Sequence, residues 1–440
     1  MNGRDVLKIL KEEKVNYLRL QFTDIMGINK NVEVPPSQFD KAVDGKIMFD
    51  GSSIEGFSRI EESDMLLKPD HNTFIIYPWN DGNRKVARLI CDIYNPDETP
   101  FEGCPRGALK RIIADSDNLG YVMNAGLEAE FFLFEKDTNG HITTNTHDSG
   151  GYFDLTPIDK GEEARQSMVD ALCKMGFEVE AAHHEVAPGQ HEIDFKYADS
   201  LTTADRIATF RFVVRKVATK YNLHATFMPK PIFGINGSGM HTHQSLFKGK
   251  KNIFFDPKSP FQLSSEAMGY IAGILKHARS FTAVTNPLVN SYKRLVPGFE
   301  APTMVSWSEK NRSPLIRVPA KRDIGTRIEL RSPDPSANPY LALAVMQASG
   351  LNGVKNKLFP PEPVNRNMYK MSKREMARLK ISTLPGSLSE ALDFLEKDRL
   401  IKDALGDHIY TNFLNAKRDE WKYYIQQVHH WEQEHYLTKY

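Results

Sequence analysis

The sequence predicts an α+β fold in which a small β-rich domain over residues 1–100 precedes a larger domain over residues 101–440. Two domains are expected because a chain of 440 residues exceeds the size that one hydrophobic core usually organises. The first hundred residues are mostly strand-like in pattern. The remainder mixes helical periods with short strand-like runs and lacks the regular alternation of β-α-β winding, which indicates an α+β arrangement.

The predicted N-terminal domain opens with a helix and continues in strands. Val6, Leu7 and Leu10 recur at helical spacing. Alternating apolar residues then predict strands near residues 18–22, 32–34, 74–77 and 86–93. The segment 95–105 is dense in turn-forming residues and is therefore the predicted domain boundary.

Helical periods dominate the predicted C-terminal domain, and short strand-like runs between them hold most of the ionisable motifs. The spacing of apolar residues predicts helices near 106–119, 162–175, 203–221, 264–283, 338–350, 387–397 and 411–430.

Composition excludes several classes of protein. With 57 basic and 56 acidic side chains the net charge is +1, which argues against direct electrostatic binding of nucleic acid. The three cysteines lack disulfide-framework or zinc-site spacing, so a reducing cytoplasm is expected. No apolar stretch reaches the roughly 18 residues that span a bilayer, and we expect no signal peptide or membrane anchor.

Two glutamates lie one residue apart within the apolar segment 126–134. On a strand, Glu128 and Glu130 would share one face with their carboxylates about 7 Å apart. Their repulsion would be about 2 kcal/mol at an effective dielectric of about 20, before the cost of desolvation. A divalent cation would reverse both effects. The alternative is that each glutamate meets a buried arginine or reaches solvent.

A second acidic motif lies in the segment 185–195. The Pro188-Gly189 turn separates two short runs that can pair as a hairpin, which would bring Glu185 and Glu192 together. A solvent-exposed acidic turn is the alternative.

A glycine-rich turn at 234–239 precedes an alternating run. If that run is a strand, His241, His243 and Ser245 share one face. A lone histidine is more often structural, but two at this spacing beside a glycine turn favour a site. The turn lacks the Lys-Ser/Thr ending of a phosphate loop and the spacing of a dinucleotide fingerprint.

Several arginines follow near the third motif. Arg327, Glu329 and Arg331 would occupy one strand face, and a plain salt-bridged surface is the alternative interpretation. Guanidinium groups suit phosphate and carboxylate oxygens because they present paired donors in one plane. Glutamates with a histidine and no thiolate describe a site for Mg²⁺ or Mn²⁺. Cations with arginines suit phosphoryl transfer from a nucleotide.

Five motifs resemble the type I glutamine synthetase family, in the short alpha subtype of Gram-positive bacteria, and the likeness runs almost end to end. They are DGSSIEGF at 50–57, the E-x-E pair at 128–130, NGSGMH at 236–241, KRLVPG at 293–298 and NRS at 311–313. The resemblance implies an N-terminal β-grasp-like domain and a catalytic domain of the glutamine synthetase/guanido-kinase type. An antiparallel sheet would form a funnel-shaped site there.

The implied reaction is the ATP-dependent ligation of ammonia to L-glutamate. It would give L-glutamine, ADP and phosphate through γ-glutamyl phosphate, with feedback inhibition by glutamine. Two alternatives stay open: the acceptor is a polyamine or another amine, or the protein is non-catalytic and binds a transcription regulator. The presence of all six expected metal ligands favours catalysis.

The resemblance also implies roles for individual residues. One Mg²⁺ or Mn²⁺ would be held by Glu130, Glu185 and Glu192, and another by Glu128, His241 and Glu329. ATP would meet Glu180, His243, Ser245, Arg312, Arg317 and Arg327, with Tyr197 near adenine. Glutamate would meet Asn236, Gly237, Arg294, Glu300, Arg312 and Arg331. The ammonium pocket would comprise Asp50 as the base, Ser53, Tyr152 and Glu185.

Closure, regulation and assembly complete the implied picture. Glu300 would lie on a flap over the reacting groups, and Arg59 would couple glutamine to that flap. The family builds its sites between subunits, so a dodecamer of two hexameric rings is expected, with the C-terminal tail 428–440 in contacts between rings. Nitrogen-responsive transcription regulators are expected as further partners.

Overall fold

The computed structural model describes residues 1–54, 56, 64–79, 83–366, 368, 371–379 and 381–440. Its N-terminal part is β-rich, as predicted. Five strands form one sheet in the order β2-β1-β5-β4-β3, in which β1 and β5 are parallel and the other neighbours are antiparallel. The strands are β1 (Tyr17–Thr23), β2 (Asn29–Val34), β3 (Ile47–Asp50), β4 (Asp64–Ile76) and β5 (Val86–Tyr94).

Helix α1 (Gly3–Glu12) forms where the apolar period predicted it. Asn2 caps it: the Asn2 side chain accepts a hydrogen bond from the amide of Asp5, and the Asp5 carboxylate accepts one from the amide of Asn2, both at 3.0 Å. This reciprocal pair satisfies two backbone donors that the helix leaves free. Val6 and Leu10 are buried, so the predicted apolar face packs into the core.

Two sheets build the C-terminal part. The larger one, here called the catalytic sheet, has the order β11-β6-β13-β18-β17-β16 with β14 beside β13. Its neighbours are antiparallel apart from β16 and β17, which are parallel. The second sheet has the order β12-β7-β10-β9, with β8 on β7, and β15 pairs with β19. The strands are β6 (Val122–Ala129), β7 (Phe131–Lys136), β8 (Ile142–Thr146), β9 (Val179–His184), β10 (Gln190–Phe195), β11 (Ala198–Asp199), β12 (Leu223–Thr226), β13 (Met240–Lys248), β14 (Lys251–Asn252), β15 (Met304–Val305), β16 (Trp307–Ser308), β17 (Ile316–Arg317), β18 (Ile328–Leu330) and β19 (Ser382–Thr383).

All seven predicted C-terminal helices are confirmed, with bounds within six residues of those predicted: α3 (Pro105–Asp117), α4 (Glu162–Lys174), α5 (Ser200–Ala218), α6 (Ser265–Thr285), α8 (Pro339–Lys355), α10 (Leu388–Leu395) and α12 (Asp407–Tyr424). Five shorter helices were not predicted, because their few turns carry little periodicity. They are α2 (Phe39–Val43), α7 (Ser291–Arg294), α9 (Lys373–Arg378), α11 (Arg399–Leu405) and α13 (His430–Tyr436). Within the described ranges, no helix combines the length and apolar character needed to cross a membrane.

Helices α6 and α8 approach closely at glycines. A Cβ built on Gly273 would lie 2.1 Å from the carbonyl oxygen of Ser349, and one built on Gly353 would lie 1.9 Å from that of Gly269. No side chain fits either position. The close contact places α8, which is buried almost throughout, at the centre of the C-terminal core.

Arg106 on α3 joins the N-terminal sheet to the helices behind it. Its guanidinium contacts Asp70 at 2.7 Å and Asp92 at 3.0 Å on the sheet, and Asp205 on α5 at 2.9 Å. Burial would lower the pKa of Arg106, but the charges of Asp205 and Asp92 outweigh it and raise the pKa. The hydrophobic core is also continuous from α1 to α12. The division at residue 100 therefore stays a prediction from the sequence.

Candidate active site

The catalytic sheet brings residues of three predicted motifs together, from strands β6, β13 and β18. In the β6–β13 register His241 lies opposite Glu128, and in the β13–β18 register His243 lies opposite Glu329. One ligand atom each from Glu128, His241 and Glu329 lies within 4.8 Å of the others. This spacing allows a single cation to contact all three residues.

Glu130 departs from the prediction of one strand carrying both glutamates. β6 ends at Ala129, and the chain passes at Glu130 from the catalytic sheet to β7 of the second sheet. The Glu130 amide donates to the carbonyl of Gly239, and its carboxylate accepts from Gln190 at 2.7 Å and from the amide of Gly239 at 2.9 Å. Burial, and then the charge of Glu185, raises the pKa of Glu130 to about 8.

The predicted acidic hairpin is confirmed. β9 and β10 are antiparallel, and the amide of Glu185 donates to the carbonyl of Gln190 at 2.8 Å across the turn. His183 lies opposite Glu192, with its Nε2 2.9 Å from the Glu185 carboxylate and 3.6 Å from that of Glu192. These three residues form a second group with metal-binding spacing. His183 was missed, although it is two residues from Glu185 in an extended segment and so points the same way.

Asp148 supports the hairpin from behind. Its carboxylate accepts from the amide of Gly189 at 2.9 Å and from His184 Nε2 at 3.3 Å. His184 Nδ1 in turn donates to the carbonyl of Glu185 at 2.7 Å. The backbone at Glu185 is therefore held from the protein interior.

A third buried group, comprising His147, Asp148, Asp159 and His191, also has metal-binding spacing. Arg165 donates to His191 Nδ1 at 2.9 Å and to Asp159 at 2.7 Å. Because arginine can only donate, the proton of neutral His191 lies on Nε2, which then has no lone pair for a cation. Burial, and then the charges of the neighbouring histidines, lowers the pKa of His191, so this ring is neutral. The group is a structural support for β10.

Arginine contacts fix the remaining carboxylates. Glu329 accepts hydrogen bonds from Arg317 and Arg331. These ion pairs do not form a plain surface, because Glu329 is fully buried and Arg331 is only 8% exposed. Arg327 donates to His243 Nδ1 at 3.1 Å, and His243 Nε2 donates to Glu128 at 2.6 Å.

Protonation differs among the carboxylates of the site. Burial would raise the pKa of Glu128, but hydrogen bonds from His241 and His243 hold it well below the usual value. The opposite holds for Glu192, whose pKa is raised by burial and then by the charge of Asp194. Burial and then Glu128 raise the pKa of Asp194 to about 7. Such neighbouring buried carboxylates need protons or cations to offset their charge.

These side chains line two cavities that share Glu128. The first, of about 890 Å³, contains both metal-spaced groups, Glu130 and Tyr152. It also contains the whole predicted glutamate-binding set and two of the three arginines predicted to meet ATP: Asn236, Gly237, Arg294, Glu300, Arg312, Arg317 and Arg331. The second, of about 360 Å³, is lined by the predicted nucleotide-side residues Glu180, Tyr197, His243, Ser245 and Arg327. The two predicted residue sets thus lie in adjoining spaces.

Asp194 lines both cavities and was given no role by the sequence analysis. Its Oδ1 is buried and has no hydrogen-bond partner in the described part of the chain. Asp194 lies two residues after Glu192 on β10, so the two side chains share one face of the strand. This spacing could have identified Asp194 from the sequence.

Two segments meet over the first cavity. Asn236 donates to the Glu300 carboxylate at 3.3 Å, and Glu300 is exposed with a φ of +57°. The Arg294 guanidinium donates hydrogen bonds to the carbonyl of Ser332 at 2.7 Å and to the carbonyl of Arg331 at 3.2 Å.

Asp50 and Ser53 are not brought to the other predicted ammonium-pocket residues within one chain. Both are exposed, and neither lines the two cavities. Hydrogen bonds from the hydroxyl and amide of Ser52 lower the pKa of Asp50. Arg59, the predicted regulatory residue, lies outside the described residues.

Comparison with known proteins agrees with this arrangement. The family model described as the glutamine synthetase beta-Grasp domain matches residues 14–96, and the one described as the glutamine synthetase catalytic domain matches residues 102–436. A glutamine synthetase of Thermus thermophilus is 63% identical over 440 residues, covering 99% of both chains. One of Staphylococcus aureus is 59% identical over 437 residues, covering 99% of this chain and 98% of its own.

Solved structures show the same fold. A GmaS/ADP complex superposes with a TM-score of 0.88 at 32% identity, covering 98% of this chain and 99% of its own. A glutamine synthetase of Plasmodium falciparum has the same TM-score at 27% identity, covering 99% of both chains.

The fold and the site define a ligase that uses ATP and divalent metal ions. The chain belongs to the glutamine synthetase family. Its reaction is the ATP-dependent formation of glutamine from glutamate and ammonia. The predicted α+β fold, with a β-grasp domain before a catalytic domain, is confirmed.

The two metal-spaced groups predict separable cation sites. Glu128→Gln should weaken Mn²⁺ binding at the group with His241, and Glu185→Gln should weaken it at the hairpin, each by about tenfold or more because a charged ligand is lost. Calorimetric titration with Mn²⁺ measures both sites. Asp154→Asn is the control, since Asp154 lines the cavity but belongs to neither group. Equal weakening of both sites in every variant would contradict the assignment.

Proposed function

We propose that the first cavity binds two Mg²⁺ or Mn²⁺ ions, one at Glu128, His241 and Glu329 and one at Glu130, Glu185 and Glu192. The observation that carries this proposal is that one cavity contains two groups of carboxylate and imidazole side chains, each group with its ligand atoms within 4.8 Å of one another. Burial also raises the pKa of Glu130 to about 8 and that of Glu192. Such a set fits cations because they remove both the repulsion and the desolvation penalty. When bound, the ions would offset the charge of the phosphates and of the substrate carboxylate.

The adjoining cavity would take ATP. Glu180, His243, Ser245 and Arg327 would contact the nucleotide there, and Tyr197 would pack near adenine. Arg312 and Arg317 would meet its phosphates from the first cavity. Arg312 is suited to this because it is exposed and has no acidic partner among the described residues. Its guanidinium is therefore available for phosphate or carboxylate oxygens.

Glutamate would bind between Asn236, Gly237, Arg294 and Arg331, with its side-chain carboxylate toward the terminal phosphate of ATP. That carboxylate would attack the γ-phosphorus of ATP. The bond from this phosphorus to the oxygen shared with the β-phosphate would break, which gives γ-glutamyl phosphate and ADP. Glu300 and Arg312 would enclose the reacting end. Ammonia would then displace phosphate to form the amide.

Ammonium must lose a proton before it can attack. Asp50 would accept that proton, and Ser53, Tyr152 and Glu185 would complete the pocket. The lowered pKa of Asp50 supports an ionised carboxylate that attracts ammonium. Since Asp50 lines neither cavity of its own chain, it would come from a neighbouring subunit.

A dodecamer of two hexameric rings would supply such neighbours. The C-terminal tail supports contacts of this kind because its apolar side chains are exposed in the single chain. They include Val428, Trp431, Leu437 and Tyr440, between 56% and 100% exposed.

The primary experiment measures phosphate and glutamine formed from ATP and glutamate, with and without ammonium. We expect both products to depend on ammonium and on Mg²⁺ or Mn²⁺, because γ-glutamyl phosphate needs an acceptor. Methylamine, ethylamine and a polyamine are tested in parallel. Faster turnover with any of these amines would favour the alternative acceptor. Absence of turnover with every acceptor would favour the non-catalytic alternative.

Shared sites predict complementation between two inactive variants. Asp50→Asn and Glu329→Gln subunits should each be inactive alone, while co-expression should restore about a quarter of wild-type activity through random pairing of neighbours. Glutamine formation by the purified mixed oligomers is the measurement. Mixed oligomers of two differently tagged Asp50→Asn subunits are the matched control. No restored activity would place Asp50 and Glu329 of each site in the same chain.

Feedback inhibition by glutamine, coupled through Arg59 to Glu300, is part of the proposal. Arg59→Ala should raise the glutamine concentration for half-inhibition, and Arg19→Ala on the N-terminal sheet serves as control. Unchanged inhibition in Arg59→Ala would contradict this role.

A cytoplasmic location is supported by three unpaired cysteines. Binding of nitrogen-responsive transcription regulators stays a prediction from the family resemblance.

A further inference from the structure

Lys230 lies beside the glutamate-binding loop but belongs to none of the residue sets described above. It is only 7% exposed and has no acidic partner in the described ranges. Its backbone is anchored: its amide donates to Asn290 at 2.8 Å, and its carbonyl accepts from the Asn290 side chain at 3.0 Å. The backbone at Lys230 is thus held by the segment that leads into α7.

The Lys230 side chain contacts the flap. Its Nζ lies 3.8 Å from the ring centroid of Phe299, the residue before Glu300. A cation over an aromatic face is attracted to it, and more strongly where water is excluded. Gly298, with a φ of +97°, precedes this pair. The contact with the Phe299 ring therefore allows Lys230 to hold the segment that follows Gly298.

The same side chain also contacts the loop that carries Asn236 and Gly237. Its Nζ donates to the carbonyl of Ile235. A Cβ built on Gly237 would lie 3.2 Å from Lys230 Cδ and 2.2 Å from the carbonyl oxygen of Pro229, so the loop passes directly over the lysine. One buried cation thus connects the loop to the flap.

We propose that Lys230 is a positioning residue that latches the flap over the site: its ammonium group holds Phe299 and the Ile235 carbonyl together. This inference rests on the proposed role of Glu300. Asn236 and Glu300 form a second contact between the same two segments. The latch deepens the proposed function by naming what keeps the flap closed.

Closure matters because γ-glutamyl phosphate can react with either of two nucleophiles. Attack by ammonia gives glutamine and phosphate, whereas attack by water gives back glutamate and phosphate. An open flap admits water and weakens retention of ammonia. Loss of the latch should therefore increase the fraction of γ-glutamyl phosphate that reacts with water, with a smaller effect on the rate at which the intermediate forms.

The test measures phosphate released and glutamine formed in the full-length enzyme over a range of ammonium concentrations. Wild-type enzyme should release one phosphate for each glutamine. Lys230→Met, which keeps the length but removes the charge, should release excess phosphate at low ammonium and raise KM for ammonium about tenfold. At saturating ammonium kcat should change less than about twofold. Lys230→Arg should restore coupling, because guanidinium also binds ring faces and carbonyls.

Phe299→Leu removes the same contact from the flap side. It keeps the test informative if Lys230→Met fails to fold. It should show the same uncoupling, and the double variant should be no worse than either single one, because both remove one contact. Lys402→Met is the matched control, since Lys402 lies 5.2 Å from the ring of Tyr410 away from the site. It should stay coupled.

Three outcomes would overturn the latch. Coupled turnover in both Lys230→Met and Phe299→Leu would do so, as would uncoupling in Lys402→Met to the same degree. A rise in KM for glutamate with no change in the phosphate-to-glutamine ratio would reduce Lys230 to a support of the loop. Wild-type enzyme that forms no glutamine would instead contradict the proposed function itself, and the latch with it.

Discussion

The crowding of carboxylates in one buried cavity is the constraint on which the rest of the structure depends. Burial and the charge of Glu185 raise the pKa of Glu130, and burial and the charge of Asp194 raise that of Glu192. Histidine and arginine contacts instead lower the pKa values of Glu128 and Glu329. Burying charged groups is costly unless each one is paired or hydrogen-bonded. The same repulsion that makes the site costly to build gives divalent cations a reason to bind there.

Much of the surrounding structure supplies that support. The junction between the two sheets at Glu130 brings Glu128 of the catalytic sheet and Glu185 of the hairpin to one cavity. Asp148 and His184 hold the hairpin backbone, and Arg165 fixes the tautomer of His191 behind it. A buried group that resembles a metal site by composition therefore acts as a scaffold, because hydrogen bonding has already assigned its lone pairs.

In the proposed mechanism, the cavities of a single chain lack a proton acceptor for ammonium. Its two cavities contain the residues proposed to bind metals, ATP and glutamate, while Asp50 remains on the exposed end of β3. Supply of a proton acceptor by a neighbour would link catalysis to assembly. Enclosure by the flap, held by Lys230 and Phe299, would keep water from the intermediate. Both links act on the same problem, which is to deliver ammonia to an acyl phosphate while excluding water.

The sequence by itself determined the α+β class, α1, the seven longer C-terminal helices, the acidic hairpin and the shared face of His241 and His243. Each follows from local periodicity or from a turn, so no distant contact is needed to predict it. Only the tertiary structure revealed that the strand ends before Glu130, that His183 joins the hairpin group and that Lys230 lies under the flap. These features depend on which strands pair and which segments cross. Non-local packing decides such contacts, and the spacing of residues along the chain does not encode them.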